Sequence, residues 1–281
     1  MDNKMPPIVS AQELKALIGK PNCIVIDASY PKGKISYEKE HIVGSLFVDL
    51  DKDLADIKSD FKWGGRHPLP SIKNLVKVLN ALGISNNSHI LIYDRNNGAF
   101  ASRMWWMMRS IGHETVQVLD GGFDKAKEEG LQMEIGDSVL LPISNYQAQS
   151  WGWPLRGLDE LSEALGSHTQ KVIDVRGAVR YKGEVEPIDT VAGHIPGAVN
   201  APFTENLNAD GRFKSVKELQ SQYQELLGEV KSKDAIFHCG SGVTACHSIL
   251  ALDIAGFEIP ALYVGSWSEW SRNNKPMFTH E

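Results

Sequence analysis

Phe237-His238-Cys239-Gly240-Ser241-Gly242-Val243-Thr244-Ala245-Cys246 is the stretch on which the reading of this chain turns. A short apolar run, Ala235-Ile236-Phe237, precedes it and is long enough for one buried strand. Thr244 to Ala255 follows and reads as a helix. A cysteine at the end of a strand, in a tight glycine-containing loop that opens a helix, is a placed nucleophile. Backbone N–H groups converge on the sulfur and the helix N-terminus adds positive potential. Both favour thiolate over thiol, so the pKa of Cys239 is expected to fall. Cys239 is the candidate catalytic residue.

Working outward, the pattern before the loop occurs twice. Ile24-Val25-Ile26-Asp27 matches Lys171-Val172-Ile173-Asp174, and the stretch at His41 matches Gly193-His194-Ile195-Pro196-Gly197-Ala198. The apolar strand His89–Tyr93, ahead of Asp94, matches the strand before Cys239. Leu119 to Phe123 matches Tyr263-Val264-Gly265-Ser266-Trp267. The spacings agree: 67 residues from Asp27 to Asp94 against 65 from Asp174 to Cys239, then 27 to Gly121 against 26 to Gly265. A repeat of domain length means two copies of one fold. Strands alternating with helices predict an α/β layer with a mostly parallel sheet in each copy. Domains are expected at 1–140 and 156–281, joined through the aperiodic stretch Gly136 to Gly157. Asp94 stands where the second copy has Cys239, so the first copy is expected to be non-catalytic and to supply a wall of the site.

Further elements are legible. Ser10 with Glu13 predicts a capping box, and Ser71 caps a helix through Leu82. Ala101 to Ile111 predicts a helix whose Trp105-Trp106-Met107-Met108 face is packed, and Asp49 to Pro70 an ordered loop without period. At 281 residues, 42% apolar and 23% charged, the chain is a globular protein with a sizeable core. A net charge of −6 argues against a nucleic-acid partner, and no apolar run is long enough to span a membrane. The N-terminal MDNKMPPIVSAQEL carries neither an apolar signal core nor an Arg-rich transit pattern. Three cysteines make no disulfide framework, and together these features point to the reducing cytoplasm.

The loop invites two chemistries. Cysteine phosphatases place an arginine six positions after the cysteine to grip phosphate; here that position is Ala245, and the clamp is missing. The shorter loop Cys239 to Thr244 fits a different electrophile. With its two tandem copies, a His-Ile-x-Gly element in each, and the reactive cysteine only in the second, the chain resembles the rhodanese, or sulfurtransferase, superfamily. Within it, CGSGVT looks like the loop of the 3-mercaptopyruvate sulfurtransferases; thiosulfate-preferring members carry basic residues at the positions of Gly240 and Ser241. The resemblance implies two rhodanese-like domains, no metal or organic cofactor, and a small-molecule sulfur donor. It implies a persulfide on Cys239, discharged to a thiol acceptor such as thioredoxin, or to cyanide. It also implies that Gly240, Gly242, Val243 and Thr244 line the substrate. Ser241 would act with His67 and Asp51 on the substrate thiol proton, and Arg180 would bind the substrate carboxylate. A thiosulfate donor and a non-enzymatic persulfide carrier are the alternatives.

One position departs from the pattern. The family's second carboxylate-binding arginine follows a Glu-Pro pair, and here Glu186-Pro187 is followed by Ile188. Either Lys182 or Arg212 replaces it or the donor differs. Other residues read as structural. His41 and His194 occur in both halves, including the one without a nucleophile, so they are expected to hold a turn. His67 has no counterpart. Asp27 and Asp174 are expected in ion pairs or turns, Arg176 beside a carboxylate, Cys246 in the core and Cys23 inert.

Overall fold

A computed structural model describes residues 5–167 and 169–279. It divides into two compact units. The first comprises Met1–Ala55, Pro70–Gly152 and Ala209–Phe213; the second comprises Asp56–Leu69, Trp153–Asn208 and Lys214–Glu281.

In the first unit the strands are β1 (Ile8–Val9), β2 (Cys23–Asp27), β3 (His41–Ile42), β4 (Leu46–Phe47), β5 (His89–Tyr93), β6 (Val116–Leu119) and β7 (Met133–Glu134). The helices are α1 (Ala11–Leu17), α2 (Gly33–Lys39), α3 (Ile72–Ala81), α4 (Ala101–Ser110) and α5 (Gly122–Glu128). The main sheet runs β1-β6-β5-β2-β4 with every pair parallel; β3 and β7 form a small antiparallel ladder. Parallel strands need crossovers and are covered on both faces, which is why β2 and β5 are runs of apolar residues rather than alternations. The expected caps are present: Ser10 and Glu13 form a capping box, and Ser71 accepts the Asn74 N–H. Val25, Leu91, Leu119, Leu14 and Phe123 pack into one core, and Trp105, Trp106, Met107 and Met108 are buried on α4.

In the second unit the strands are β8 (Leu155–Arg156), β9 (Lys171–Asp174), β10 (Val199–Asn200), β11 (Ala235–His238) and β12 (Ala261–Tyr263). The helices are α6 (Leu158–Ala164), α7 (Ala178–Tyr181), α8 (Val216–Leu227), α9 (Thr244–Ile254) and α10 (Ser266–Trp270). The sheet order is β10-β9-β11-β12-β8, again all parallel, which is the first unit's order with each strand replaced by its repeat partner. Val172, Ile236, Ala261, Trp267 and Trp270 form its core.

The paired histidines do the same structural work in each unit. His41 Nδ1 lies 2.8 Å from the Tyr37 carbonyl, with its ring stacked on Tyr37 at 3.9 Å. His194 Nδ1 lies 2.8 Å from the Tyr181 carbonyl, stacked on Tyr181 at 3.8 Å. At the strand ends Asp27 pairs with Arg95 and Asp174 with Arg176, as their positions predict.

Candidate active site

The cysteine loop is shaped by three constraints. β11 is fully buried between β9 and β12, so its C-terminal end delivers Cys239 to a fixed point. Gly242 then turns at φ +71°, and a Cβ there would lie 2.5 Å from the Val264 carbonyl oxygen, so only glycine closes the loop. Finally, the first turn of α10 pins the loop from outside. Cys239 N–H donates to Ser266 Oγ at 3.1 Å, while the Cys239 and Gly240 carbonyls accept from the Trp267 and Ser268 N–H groups at 3.0 Å each.

The N-cap of α9 is Val243, which offers no side-chain cap. Its first N–H groups have no intrahelical acceptor and are available to an anion. Cys239 is 2% exposed, and burial pushes its thiol up. The Thr244 hydroxyl and the N–H groups of Ser241, Ala245 and Val243 outweigh that and hold it below the ordinary thiol range. The sulfur is therefore buried in a ring of donors, not in hydrocarbon. Asp94 occupies the equivalent point of the first unit. Its carboxylate accepts N–H from Asn96 (2.7 Å), Gly98 (2.9 Å), Phe100 (2.7 Å) and Ala101 (2.8 Å). Burial nonetheless pushes its carboxyl up.

The stretch 56–69, an aperiodic loop by sequence, is part of the second unit. Gly64 N–H donates to Glu269 Oε1 at 2.7 Å, and Arg66 N–H to Ser268 Oγ at 2.9 Å. Between them Gly65 has φ +76°, and a Cβ there would lie 2.3 Å from the Gly265 carbonyl oxygen. This close approach sets His67 Nδ1 at 2.8 Å from Ser241 Oγ, both side chains being buried.

Two guanidiniums, Arg66 and Arg180, lie beside the loop at Gly240. Arg180 grips Glu186 through Nη2 at 2.7 Å and Nε at 3.2 Å. Asp189 receives Arg66 on Oδ2 and Arg272 on Oδ1 at 2.9 Å, with Arg180 at 3.6 Å. Arg176 is bound to Asp174 through Nε and Nη2.

A family model described as "Rhodanese-like domain" matches the chain twice, over residues 10–129 and 157–273. The chain belongs to the rhodanese-like family. A Pseudomonas aeruginosa protein named "Probable 3-mercaptopyruvate sulfurtransferase" is 41% identical over 270 residues, covering 94% of each chain. A Gallus gallus protein named "Thiosulfate sulfurtransferase" is 34% identical over 261 residues, covering 90% of this chain and 88% of its own. The crystal structure of SseA from Escherichia coli, described among 3-mercaptopyruvate sulfotransferases, superposes with a TM-score of 0.79 at 30% identity, covering 94% of this chain and all of that one.

Of the residues the sequence singles out, Cys239, Gly240, Ser241, Gly242, Val243, Thr244, Arg180 and His67 all lie in this rhodanese-like unit. His67 and Ser241 are in hydrogen-bond contact, and Arg180 lies beside Gly240. Asp51 belongs to the first unit, where burial and then Asp49 push its carboxyl up against a hydrogen bond from Tyr30. Arg212 is also in the first unit, engaged by Glu129, and Lys182 is exposed. Cys246 is core, its Sγ donating to the Gly242 carbonyl at 3.4 Å. Arg66, Ser266 and Ser268 were not singled out from sequence. The glycine pair before Arg66 is a signal of close backbone approach; the two serines carry none.

Proposed function

We propose that the chain is a sulfurtransferase that takes sulfur from 3-mercaptopyruvate, holds it as a persulfide on Cys239 and passes it to a thiol or to cyanide. The observation that carries this is the buried Cys239 sulfur inside a ring of amide and hydroxyl donors, with the Ser241–His67 hydrogen bond beside it. The named relatives and the structural likeness to SseA support the donor.

The Cys239 thiolate attacks the sulfur of mercaptopyruvate. The new S–S bond forms as the C–S bond breaks, and the electron pair goes to the methylene carbon as the pyruvate enolate. The substrate's thiol proton passes through Ser241 Oγ and His67 Nδ1 and ends on that carbon, which gives pyruvate. Cys239 then carries a terminal persulfide anion, stabilised by the same donors that held the thiolate. An acceptor thiolate attacks the outer sulfur and Cys239 leaves as thiolate. The steps balance without a metal or organic cofactor, and two displacements on one nucleophile give ping-pong kinetics. The acceptor is a small thiol or a protein thiol such as thioredoxin, and we place the reaction in the cytoplasm, where thiols stay reduced. Among the described residues no helix is long and apolar enough to cross a membrane.

Thiosulfate is the second reading, supported by the 34% identity to a thiosulfate sulfurtransferase and by Ile188 in place of an arginine. One experiment separates them: kcat/KM with each donor, with mass spectrometry of Cys239 after donor addition. The expected result is a preference for mercaptopyruvate and a 32 Da adduct on Cys239 that Cys239→Ser abolishes together with turnover. A preference for thiosulfate overturns the donor. An adduct that forms only with a partner desulfurase present overturns the enzyme in favour of a sulfur carrier. The part that the resemblance gives Asp51 is tested by Asp51→Asn in the same assay.

A further inference from the structure

The residue just before the nucleophile differs in kind between the two copies. Tyr93 ends β5 in register with Asp27, and His238 ends β11 in register with Asp174. Tyr93 is satisfied: its hydroxyl lies 2.9 Å from Ser45 Oγ and accepts the Ile42 N–H at 3.2 Å. Burial pushes its phenol well up, so it carries no charge. In the second copy Ala198 stands where the first has Ser45, and that hydroxyl is gone. The His238 side chain is fully buried, its Nδ1 lies 3.3 Å from the Cys239 carbonyl oxygen, and its Nε2 has no hydrogen-bond partner among the described residues. A carbonyl only accepts, so the neutral ring carries its proton on Nδ1 and leaves a bare lone pair on Nε2. Asp174 Oδ2 lies 3.9 Å from that nitrogen, one acceptor facing another.

A buried acceptor without a donor costs free energy, and a proton on Nε2 turns this contact into an ion pair. The charged and titratable groups that face the ring are Asp174 from β9, Arg176 from the loop after it, His194 from the turn before β10, Tyr263 from β12 and Cys239 itself. Burial pushes the ionisation of His238 down; Asp174 and the Cys239 carbonyl act against that, Arg176 and His194 with it. The same ion group reaches the sulfur. Against its own burial, Arg176 is raised by Asp174, by Glu186 and by the Cys239 anion.

We infer that His238 is a positioning residue for the nucleophile: it takes a proton from solvent on Nε2, facing Asp174, and the cation so formed holds Cys239 as its anion when the pH falls. Asp174 and Arg176 already balance one another, so the added proton is a net positive charge beside the cysteine loop, in a buried setting where charges act strongly. The first copy, which has no nucleophile, keeps a neutral tyrosine there. The inference rests on the reading of Cys239 as the nucleophile of a sulfurtransferase and gives that site its response to pH.

The test follows both residues in the intact chain. Long-range proton–nitrogen NMR spectra of wild type, with His238 assigned through its backbone, should show a neutral ring protonated on Nδ1 that gains its second proton on Nε2 as the pH falls. Iodoacetamide labelling of Cys239, read by mass spectrometry, reports the consequence. A cation this close lowers the thiol's ionisation by about one pH unit and leaves about tenfold more thiolate; the lower nucleophilicity of a less basic thiolate takes back about half of that on a logarithmic scale. Wild type should therefore label about threefold faster on the acid side than a single ionisation allows. His238→Asn keeps a donor for the Cys239 carbonyl but takes no proton, and should follow a single ionisation. Matching profiles for wild type and a folded His238→Asn overturn the inference. So does a His238 ring that is protonated on Nε2 while neutral, or that stays neutral at every pH at which Cys239 labels, and that arm needs no variant to fold. Either result with mercaptopyruvate turnover intact leaves the sulfurtransferase reading in place, whereas a Cys239 that labels at no pH overturns both.

Discussion

Thr244→Val tests the origin of the thiolate. Thr244 is the first residue of α9, and its hydroxyl is one of the donors holding Cys239 below the ordinary thiol range. Valine keeps the branched shape and removes the hydrogen bond. A hydrogen bond to a charged group contributes about 1.5–3 kcal/mol, which raises the Cys239 pKa by about one to two pH units. The sign follows from the thiolate being the reactive form: activity rises with pH through the Cys239 pKa, so the variant's limb moves to higher pH. Below both pKa values the thiolate fraction falls about 10- to 100-fold, and the greater nucleophilicity of a more basic thiolate recovers about half of that on a logarithmic scale. The net loss is about 3- to 10-fold. The assay is the rate of iodoacetamide labelling of Cys239 against pH, read by mass spectrometry so that Cys23 and Cys246 do not contribute. Thr244→Ser should stay near wild type. An unchanged or lower pKa in Thr244→Val would show that the anion is held by something other than this ring.

Gly65→Ala places a methyl 2.3 Å from the Gly265 carbonyl oxygen, in a backbone conformation that costs a non-glycine residue about 1–2 kcal/mol. Displacing His67 and Arg66 should lower kcat/KM by about tenfold or more with circular dichroism unchanged, and full activity would show that this contact does not position them. Asp94→Asn should leave most sulfur transfer intact but lower the melting temperature, because an amide NH2 then faces backbone donors, a loss of about 1–3 kcal/mol. Inactivity in a folded Asp94→Asn protein would reassign the roles of the two copies. Ser241→Ala should reduce turnover with mercaptopyruvate more than with thiosulfate, which has no thiol proton to move; equal losses would remove Ser241 from proton transfer.

The fold was legible where chemistry repeats at domain length. β2 and β9 end on Asp27 and Asp174, and β5 and β11 lead to Asp94 and Cys239, so each half predicts the other's sheet order. His41 and His194 were readable as structural because both copies have them, and each stacks on a tyrosine four or thirteen residues earlier. Elements too short to show a period were not legible: α7 has four residues and α2 seven. The strand–loop–helix setting of Cys239 was legible because the donors around the sulfur are local, Ser241 to Ala245. The contacts of Arg66 were not, since it reaches Asp189 across 123 positions and Ser268 across 202. No spacing rule connects residues that far apart, and only the glycines that permit the approach leave a local mark.

The two copies together separate what the fold supplies from what one side chain supplies. At the end of the central strand of each main sheet, β5 and β11, the backbone builds a ring of N–H donors, whether or not a nucleophile stands there. The rings differ in size: Asp94 lies seven residues before the first residue of α4, whereas Cys239 lies five before the first residue of α9. The wider ring suits two oxygens, with Asn96 and Gly98 on Oδ1 and Phe100 and Ala101 on Oδ2. A carboxylate so held is fully buried with every oxygen bonded, so it caps a helix and attacks nothing. The tighter ring closes on a single sulfur, whose diffuse charge keeps a polarisable face toward an electrophile even with several donors around it. Sulfur transfer therefore follows from a shortened loop and a soft nucleophile set into an anion site that the rhodanese-like fold already makes.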